Sequence, residues 1–246
     1  MKKCLCTLLD DGFVIAYKAF IKSFLHHNKW FDLDFVILDL GISDSNKKEM
    51  MKYYDKLIFK PIKYDNYKNV NMSVTHEKLK NTYYTCDVFS LYEYDRVVFM
   101  DMDIIVLQDM SDVFNCVAGF AACQSYNKRK DRILQTVNSG VFVVNKQFLN
   151  ENEYLRIIEV LKPGHKMPDQ ATVNIYFNNR MNFLEKKYNC EKRIYGSKRY
   201  PKFSKPKDIN IHYVGMKPWH KKGHDTPKHE LLYDEFEKVW WEWYNK

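Results

Sequence analysis

The sequence predicts an α/β fold with a mostly parallel central sheet flanked by helices. Short apolar, β-branched runs alternate with longer stretches of helical spacing through the first hundred residues. Acidic pairs sit where two of the strands end, the edge of such a sheet at which ligands gather. The 246 residues, 46% hydrophobic and 28% charged, suffice for a substantial core and argue against extensive disorder. No repeat, low-complexity block or linker interrupts the chain, so a single domain over 1–246 is expected.

Residues 3–9 read as the first strand, closed by Asp10-Asp11-Gly12. Val14, Tyr17, Phe20 and Phe24 then fall on one face of a helix over 13–27. A second strand, 34–40, opens onto Gly41-Ile42-Ser43-Asp44, where Ser43 or Asp44 caps a lysine-rich helix. A third strand at 57–62, a helix over 76–93 and a strand at 96–100 follow. Beyond residue 110 the pattern is mixed. Strands are expected near 117–123 and 139–145, helices near 151–161 and 168–178, and a further strand from 209. Residues 186–208 are basic and irregular, and 229–245 reads as an amphipathic helix.

A formal charge of +8 favours anionic partners: phosphorylated small molecules, acidic glycans, nucleic acid or anionic membranes. Cys4, Cys6, Cys86, Cys116, Cys123 and Cys190 contain no C-x-x-C pair, and several lie in apolar runs. Free thiols and a cytoplasmic location are expected. The apolar stretch 4–9 ends at two aspartates, too short for a signal peptide or membrane span.

Asp101 and Asp103 interrupt the apolar run 97–106. In an extended chain, residues i and i+2 point to one side, so both carboxylates can meet one cation. Hard oxygen ligands suit Mg²⁺ or Mn²⁺, which leave positions for phosphates; two aspartates at a turn are the bland alternative. Asn138-Ser139-Gly140 offers small residues and an amide at a strand entrance, either a ligand platform or an ordinary turn. Asp169-Gln170 follows Pro168 at a helix start, where the macrodipole favours a carboxylate. Its functional reading is contact with sugar hydroxyls or a developing oxocarbenium ion. His212 adds a nitrogen ligand that favours Mn²⁺ over Mg²⁺. Gly215 permits close backbone approach, and Lys217 supplies a point charge for a diphosphate.

Taken in order, D-x-D, N-S-G-V-F-V, D-Q with N-x-Y-F, and H-x-x-G-x-K-P-W resemble the retaining glycosyltransferase family that includes glycogenin, lipooligosaccharide galactosyltransferases and galactinol synthase. The resemblance runs from about residue 3 to the C-terminus. It implies a GT-A fold, Rossmann-like with a D-x-D motif, and a UDP-sugar donor with Mn²⁺, Mg²⁺ being the alternative. It makes Asp101, Asp103 and His212 the metal ligands and sets Gly215 and Lys217 at the diphosphate. It places Thr7, Leu8, Asp10 and Asp11 at the nucleotide, and the Met102 backbone at the ribose. Asn138, Ser139, Asp169 and Gln170 surround the donor sugar, with Asp169 and Gln170 stabilising an oxocarbenium-like state in a same-face transfer.

The activity so implied is metal-dependent transfer of a hexose from a UDP-sugar to a glycan, protein or lipid-linked acceptor. The alternatives are a glycogenin-like self-glycosylating initiator, with Tyr195 near the acceptor position, or a catalytically weak basic module for glycan or nucleic acid. An intact Asp/Asp/His set argues against the weak module, and no nucleic-acid partner is expected. A homodimer, as among glycogenin-type relatives, is left open.

Departures from the family pattern matter. Thr85 stands where many relatives carry Lys or Arg, with Lys78 and Lys80 a turn away; Gln124 stands where glycogenin-like chains carry Asp; and the lysine loop after Gly215 is one residue shorter than in glycogenin. These departures argue against assuming glucose as the donor. The cluster Lys128-Arg129-Lys130-Asp131-Arg132 reads as a solvated loop, or one folded over an anionic donor or acceptor, and 186–207 as an acceptor loop. The Trp-rich tail is expected to pack on the domain, peripheral membrane contact being the alternative.

Overall fold

The computed structural model describes residues 1–74, 77–220 and 233–246; the side chain of Lys78 also lies outside the description. The chain runs β1 (Lys3–Leu9), α1 (Val14–His27), β2 (Asp34–Asp39), α2 (Asp44–Met51), β3 (Leu57–Pro61), β4 (Arg96–Met100), β5 (Ile104–Ile105), α3 (Ser111–Asn115), β6 (Phe120–Asn127) and β7 (Arg132–Asn145). It continues through α4 (Glu151–Leu161), α5 (Pro168–Tyr176), β8 (Asn182–Leu184), β9 (Cys190–Glu191), β10 (Ile211–His212) and α6 (Asp234–Asn245). A seven-stranded sheet has the order β3-β2-β1-β4-β7-β6-β8, and β5, β10 and β9 form a small second sheet. β1 to β4 are parallel, β7 runs against both of its neighbours, and β8 is parallel to β6. The expected mostly parallel sheet is present, with one strand reversed.

Period-two alternation explains the layering. Cys4, Cys6, Val36, Leu38, Val97, Phe99, Phe142 and Val144 face one side, beneath α4 and α5. Leu5, Leu9, Phe35, Ile37, Val98, Met100, Val141 and Val143 face the other, beneath α1. Both faces are covered, which is why these strands are apolar throughout. The antiparallel β4–β7 register puts Phe99 opposite Phe142, their rings stacked with centroids 4.8 Å apart.

Two expectations need correction. The helix expected over 76–93 is a run of 3₁₀ turns at Glu77–Ser90. Tyr83 hangs its hydroxyl on the carbonyls of Asn71 and Ser73, both 2.9 Å away, and tertiary bonds of this kind set the path rather than helix propensity. Asn138-Ser139-Gly140 is no turn. It lies inside β7, which begins at Arg132 because β6 pairs with it out to Asn127. The basic segment 186–208 is irregular, as expected, and two of its lysines, Lys186 and Lys192, are buried. Lys186 forms a buried ion pair with Glu191, whose other oxygen accepts from the Tyr126 amide at 3.0 Å.

The tail packs on the domain. Phe236, Trp240 and Trp243 are buried, Trp240 lies 5.1 Å from Trp219, and Lys22 of α1 donates to the Tyr244 carbonyl at 2.7 Å. Residues 229–232 of the expected helix lie outside the described residues. Among the described residues no helix is long and apolar enough to cross a membrane.

Candidate functional site

β4 ends at Met100, and the next three residues turn at its carboxyl edge. The Asp101 amide donates to the Gly140 carbonyl at 2.8 Å, so the D-x-D is pinned to β7. The Asp103 carbonyl accepts from the Tyr213 amide at 2.9 Å, which brings the end of β10 to the same place. His212 Nε2 then lies 3.5 Å from an Asp101 oxygen and 3.3 Å from an Asp103 oxygen. One ligand atom from each of the three residues falls within 4.8 Å of the others. Two carboxylates and an imidazole of this spacing match the donor chemistry of a divalent ion such as Mn²⁺. The Asp101 side chain is 34% exposed while those of Asp103 and His212 are 6% and 5% exposed, so the cluster opens on one side only.

A continuous hydrogen-bonded chain leads away from this cluster. His212 Nδ1 meets Asn189 Oδ1 at 2.8 Å, which fixes the ring and leaves Nε2 turned to the carboxylates. Asn189 Nδ2 donates to Asn138 Oδ1 at 2.7 Å, and Asn138 Nδ2 donates to Gln170 Oε1 at 3.0 Å. Beside them Ser139 Oγ donates to Asp169 Oδ2 at 2.5 Å. Gly140 is required by space: a Cβ there would stand 2.4 Å from His212 Cε1 and 2.6 Å from Nδ1. Sequence reasoning missed Asn189. It sits in an irregular stretch whose only sequence signal is polarity, and its placement depends on β9 pairing with β10, where Glu191 faces His212.

Burial and charge set the protonation of the group. Burial first, and the neighbouring Asp103 charge second, hold the Asp101 carboxyl above the ordinary carboxylate range. Burial would raise Asp103 too, but Lys217 and His212 overrule it and keep it below that range. Burial works to lower His212; Asp103 outweighs it and the imidazole is raised. Burial raises Asp169 against the hydrogen bonds from Ser139 and the Gln170 amide. Lys217 Nζ contacts Asp103 directly and donates to the Tyr213 carbonyl at 3.1 Å. Gly215 adopts φ +83°, a left-handed backbone that carries the chain from β10 into the Lys217 turn.

The residues at the end of β1 form a second group. Asp10 caps the turn after β1, accepting from the Phe13 amide at 3.1 Å, and receives Asn81 Nδ2 at 3.2 Å. Asp11 Oδ1 accepts from the Ser43 amide and from Asn46 Nδ2, both at 2.8 Å, tying this loop to the start of α2. Ser43 caps that helix, as expected. Thr7 is buried with Oγ1 unpartnered, Leu8 is half-buried, and Met102 is buried beneath the D-x-D. Thr85 is buried, Lys80 pairs with Glu77 at 3.9 Å, and Gln124 Nε2 is spent on the Leu134 carbonyl across the β6–β7 hairpin. The Tyr195 hydroxyl donates to Glu235 at 2.9 Å.

The family model of glycosyl transferase family 8 matches residues 4–223. The chain belongs to that family. Glycosyltransferase GlyF of Streptococcus pneumoniae serotype 4 is similar to this family 8 chain, 23% identical over 266 residues, which cover 98% of the chain and 61% of GlyF. Lipopolysaccharide 1,2-glucosyltransferase of Escherichia coli is 26% identical over 254 residues, 86% of the chain and 71% of that enzyme. Among solved structures, galactosyltransferase LgtC in complex with donor and acceptor sugar analogs gives a TM-score of 0.69 at 17% identity, over 97% of this chain and 95% of that one. Glycosyltransferase GlyE of Streptococcus pneumoniae gives 0.74 at 20% identity, over 99% and 61%. The family 8 fold of this chain is therefore the GT-A fold of LgtC, with Asp101 and Asp103 in the D-x-D place.

Proposed function

We propose that this family 8 glycosyltransferase moves a hexose from a UDP-sugar to a glycan, protein or lipid-linked acceptor with retention of configuration, in a cytoplasmic setting. The observation that carries the reading is the unbroken path from Asp101, Asp103 and His212 through Asn189 and Asn138 to Gln170, with Asp169 and Ser139 beside it. A metal cluster and a hydroxyl-binding group built as one unit suit a ligand that has a diphosphate at one end and a sugar at the other.

In this reading Asp101, Asp103 and His212 hold Mn²⁺, or Mg²⁺, and a bound ion supplies Lewis-acid stabilisation of the departing diphosphate. Lys217 and the Gly215 backbone steady the diphosphate. Thr7, Leu8, Asp10 and Asp11 meet the nucleotide, and the Met102 backbone meets the ribose. Asn138 and Gln170 orient sugar hydroxyls. The Asp169 carboxylate, held by Ser139, faces the anomeric carbon and stabilises the positive charge that grows there as the bond to UDP breaks. A second acid to protonate the leaving group is unnecessary, since a phosphate departs as an anion.

The experiment is a panel of nucleotide sugars with MnCl₂, read by thermal shift and by donor hydrolysis. One UDP-sugar should raise Tm by mass action and be hydrolysed slowly, both effects vanishing with EDTA. A panel without any stabilising, hydrolysed donor contradicts the reading.

A further inference from the structure

Beyond the site the β6–β7 hairpin continues as an arm. Its tip, Lys128-Arg129-Lys130-Asp131-Arg132, is fastened to the 195–203 segment. Ser197 Oγ donates to Asp131 at 2.6 Å, Tyr126 donates to the same oxygen at 2.7 Å, and the Ile133 amide donates to the Tyr200 hydroxyl at 3.3 Å. Two basic stretches far apart in sequence thus become one surface.

Elsewhere, many exposed cations are matched: Lys2 with Asp34, Lys56 with Asp32, Lys60 with Glu93, Lys162 with Glu159. On the arm, Arg129, Lys130, Arg132, Lys198, Arg199 and Lys202 are exposed, and among the described residues none has a carboxylate in ion-pair range. Asp131 is the acid in their midst: Ser197 and Tyr126 donate to it and the nearby Arg199 helps to hold it ionised, so one carboxylate stands against six cations. Uncompensated like charges on one end of a fold repel one another unless an anion joins them.

We propose that this arm is the acceptor-binding surface and that the acceptor is a saccharide chain bearing phosphate, sulfate or carboxylate groups. The proposal rests on the glycosyltransferase reading and deepens it. Arg132 stands six residues up β7 from Asn138, about 20 Å at strand rise. The anionic groups therefore lie several sugar units from the transfer centre, so the acceptor is a chain and not a monosaccharide. A membrane surface fits less well, because no large exposed apolar side chain belongs to the tip or to 193–207 among the described residues. Nucleic acid fits less well because Tyr195, Tyr200 and Phe203, which would stack on bases, are half-buried against Phe236, Tyr126 and each other.

The test uses the full chain and a heparin oligosaccharide as probe, with a neutral maltooligosaccharide, oligo-dT and phosphatidylglycerol vesicles alongside. One variant reverses four arm charges (Arg129→Glu, Lys130→Glu, Lys198→Glu, Arg199→Glu). A second reverses four at other exposed positions (Lys29→Glu, Lys52→Glu, Lys56→Glu, Lys68→Glu). The wild type should bind heparin with a salt-dependent affinity that falls at least about tenfold in the arm variant and within about twofold in the other. Maltooligosaccharide should not bind. Both variants should hydrolyse the donor as the wild type does.

Equal loss in the two variants, or retained binding in the arm variant, overturns the proposal, as does tighter arm-dependent binding of oligo-dT or vesicles. Failure of the wild type to hydrolyse any donor strikes the transferase reading instead, and the heparin comparison still decides what the arm binds.

Discussion

At residues 138–140, β7 enters a network in which each charged side chain touches a counter-charge or a hydroxyl; at Arg132 the same strand begins from a basic tip whose exposed cations form no ion pair among the described residues. The first end is buried and its geometry is fixed by hydrogen bonds between 2.5 and 3.0 Å. The second end is exposed and long-stemmed. Chemistry on a sugar demands placement to a fraction of an ångström, which only a packed and mutually bonded group supplies. Holding a polymer by its charges demands reach and adaptability, which surface Lys and Arg supply without fixed geometry. One hairpin thus offers both a rigid and an adaptable surface, and substitutions at the two ends should fail in different ways.

The largest effect is expected at the rigid end. Asp169→Asn keeps shape but removes the charge that the proposed mechanism sets against the transferred sugar, and turnover should fall by about 10²–10³ with donor affinity little changed. A matched fall in affinity, measured by calorimetry with UDP-sugar, would move Asp169 from catalysis to binding. Next comes Asn189→Ala, which frees the His212 ring without removing any of the three proposed ligands. Affinity for Mn²⁺ should weaken by roughly 10–100-fold while the unliganded protein stays folded. Unchanged Mn²⁺ affinity would mean that Gly140 and the sheet alone hold the imidazole.

The smallest expected effect lies away from both ends, at Asp39. Its carboxylate accepts from the Gly41 and Ile42 amides at 2.9 and 2.7 Å and meets Lys47 at 2.6 Å. Burial opposes ionisation, but Lys47 and these amides prevail and the pKa is lowered. A carboxylate with a lowered folded pKa stabilises above its unfolded value and loses that contribution as pH falls through the folded one. Asp39→Asn should therefore cost about 1–2 kcal/mol at neutral pH, and the gap in urea midpoints should close below about pH 4. A gap that is constant with pH would assign the loss to packing.

The first half of the fold, the 3₁₀ run at Glu77–Ser90 apart, was legible because each element there carries its own periodicity. Strand 3–9, the helix from Val14 and the strand into Asp101 depend on neighbours only for their burial. The second half depends on pairing. Nothing in Arg132-Ile133-Leu134-Gln135-Thr136 announces a strand until β6 lies beside it. Ile211 and His212 form a two-residue strand only because Ile105 and Cys190 flank Ile211. Residue type singled out Asp101, Asp103, His212 and Asp169, and the structure groups the first three and sets Asp169 on Ser139 beside them. Asn189 and Gly140 act through position, which spacing along the chain does not encode. Lys186 and Lys192 show the reverse case: a basic run gives no sign of burial, yet a Glu191 carboxylate and the Met216 carbonyl admit them to the interior.

The central claim, that two carboxylates and an imidazole form the metal half of a nucleotide-sugar site, is tested most directly by titrating MnCl₂ calorimetrically into the wild type and Asp103→Asn, with and without UDP. The account predicts one Mn²⁺ bound per wild-type chain, tighter with UDP present, and no measurable binding in the variant. Equal Mn²⁺ binding by the two proteins, or UDP binding indifferent to the ion, would contradict it.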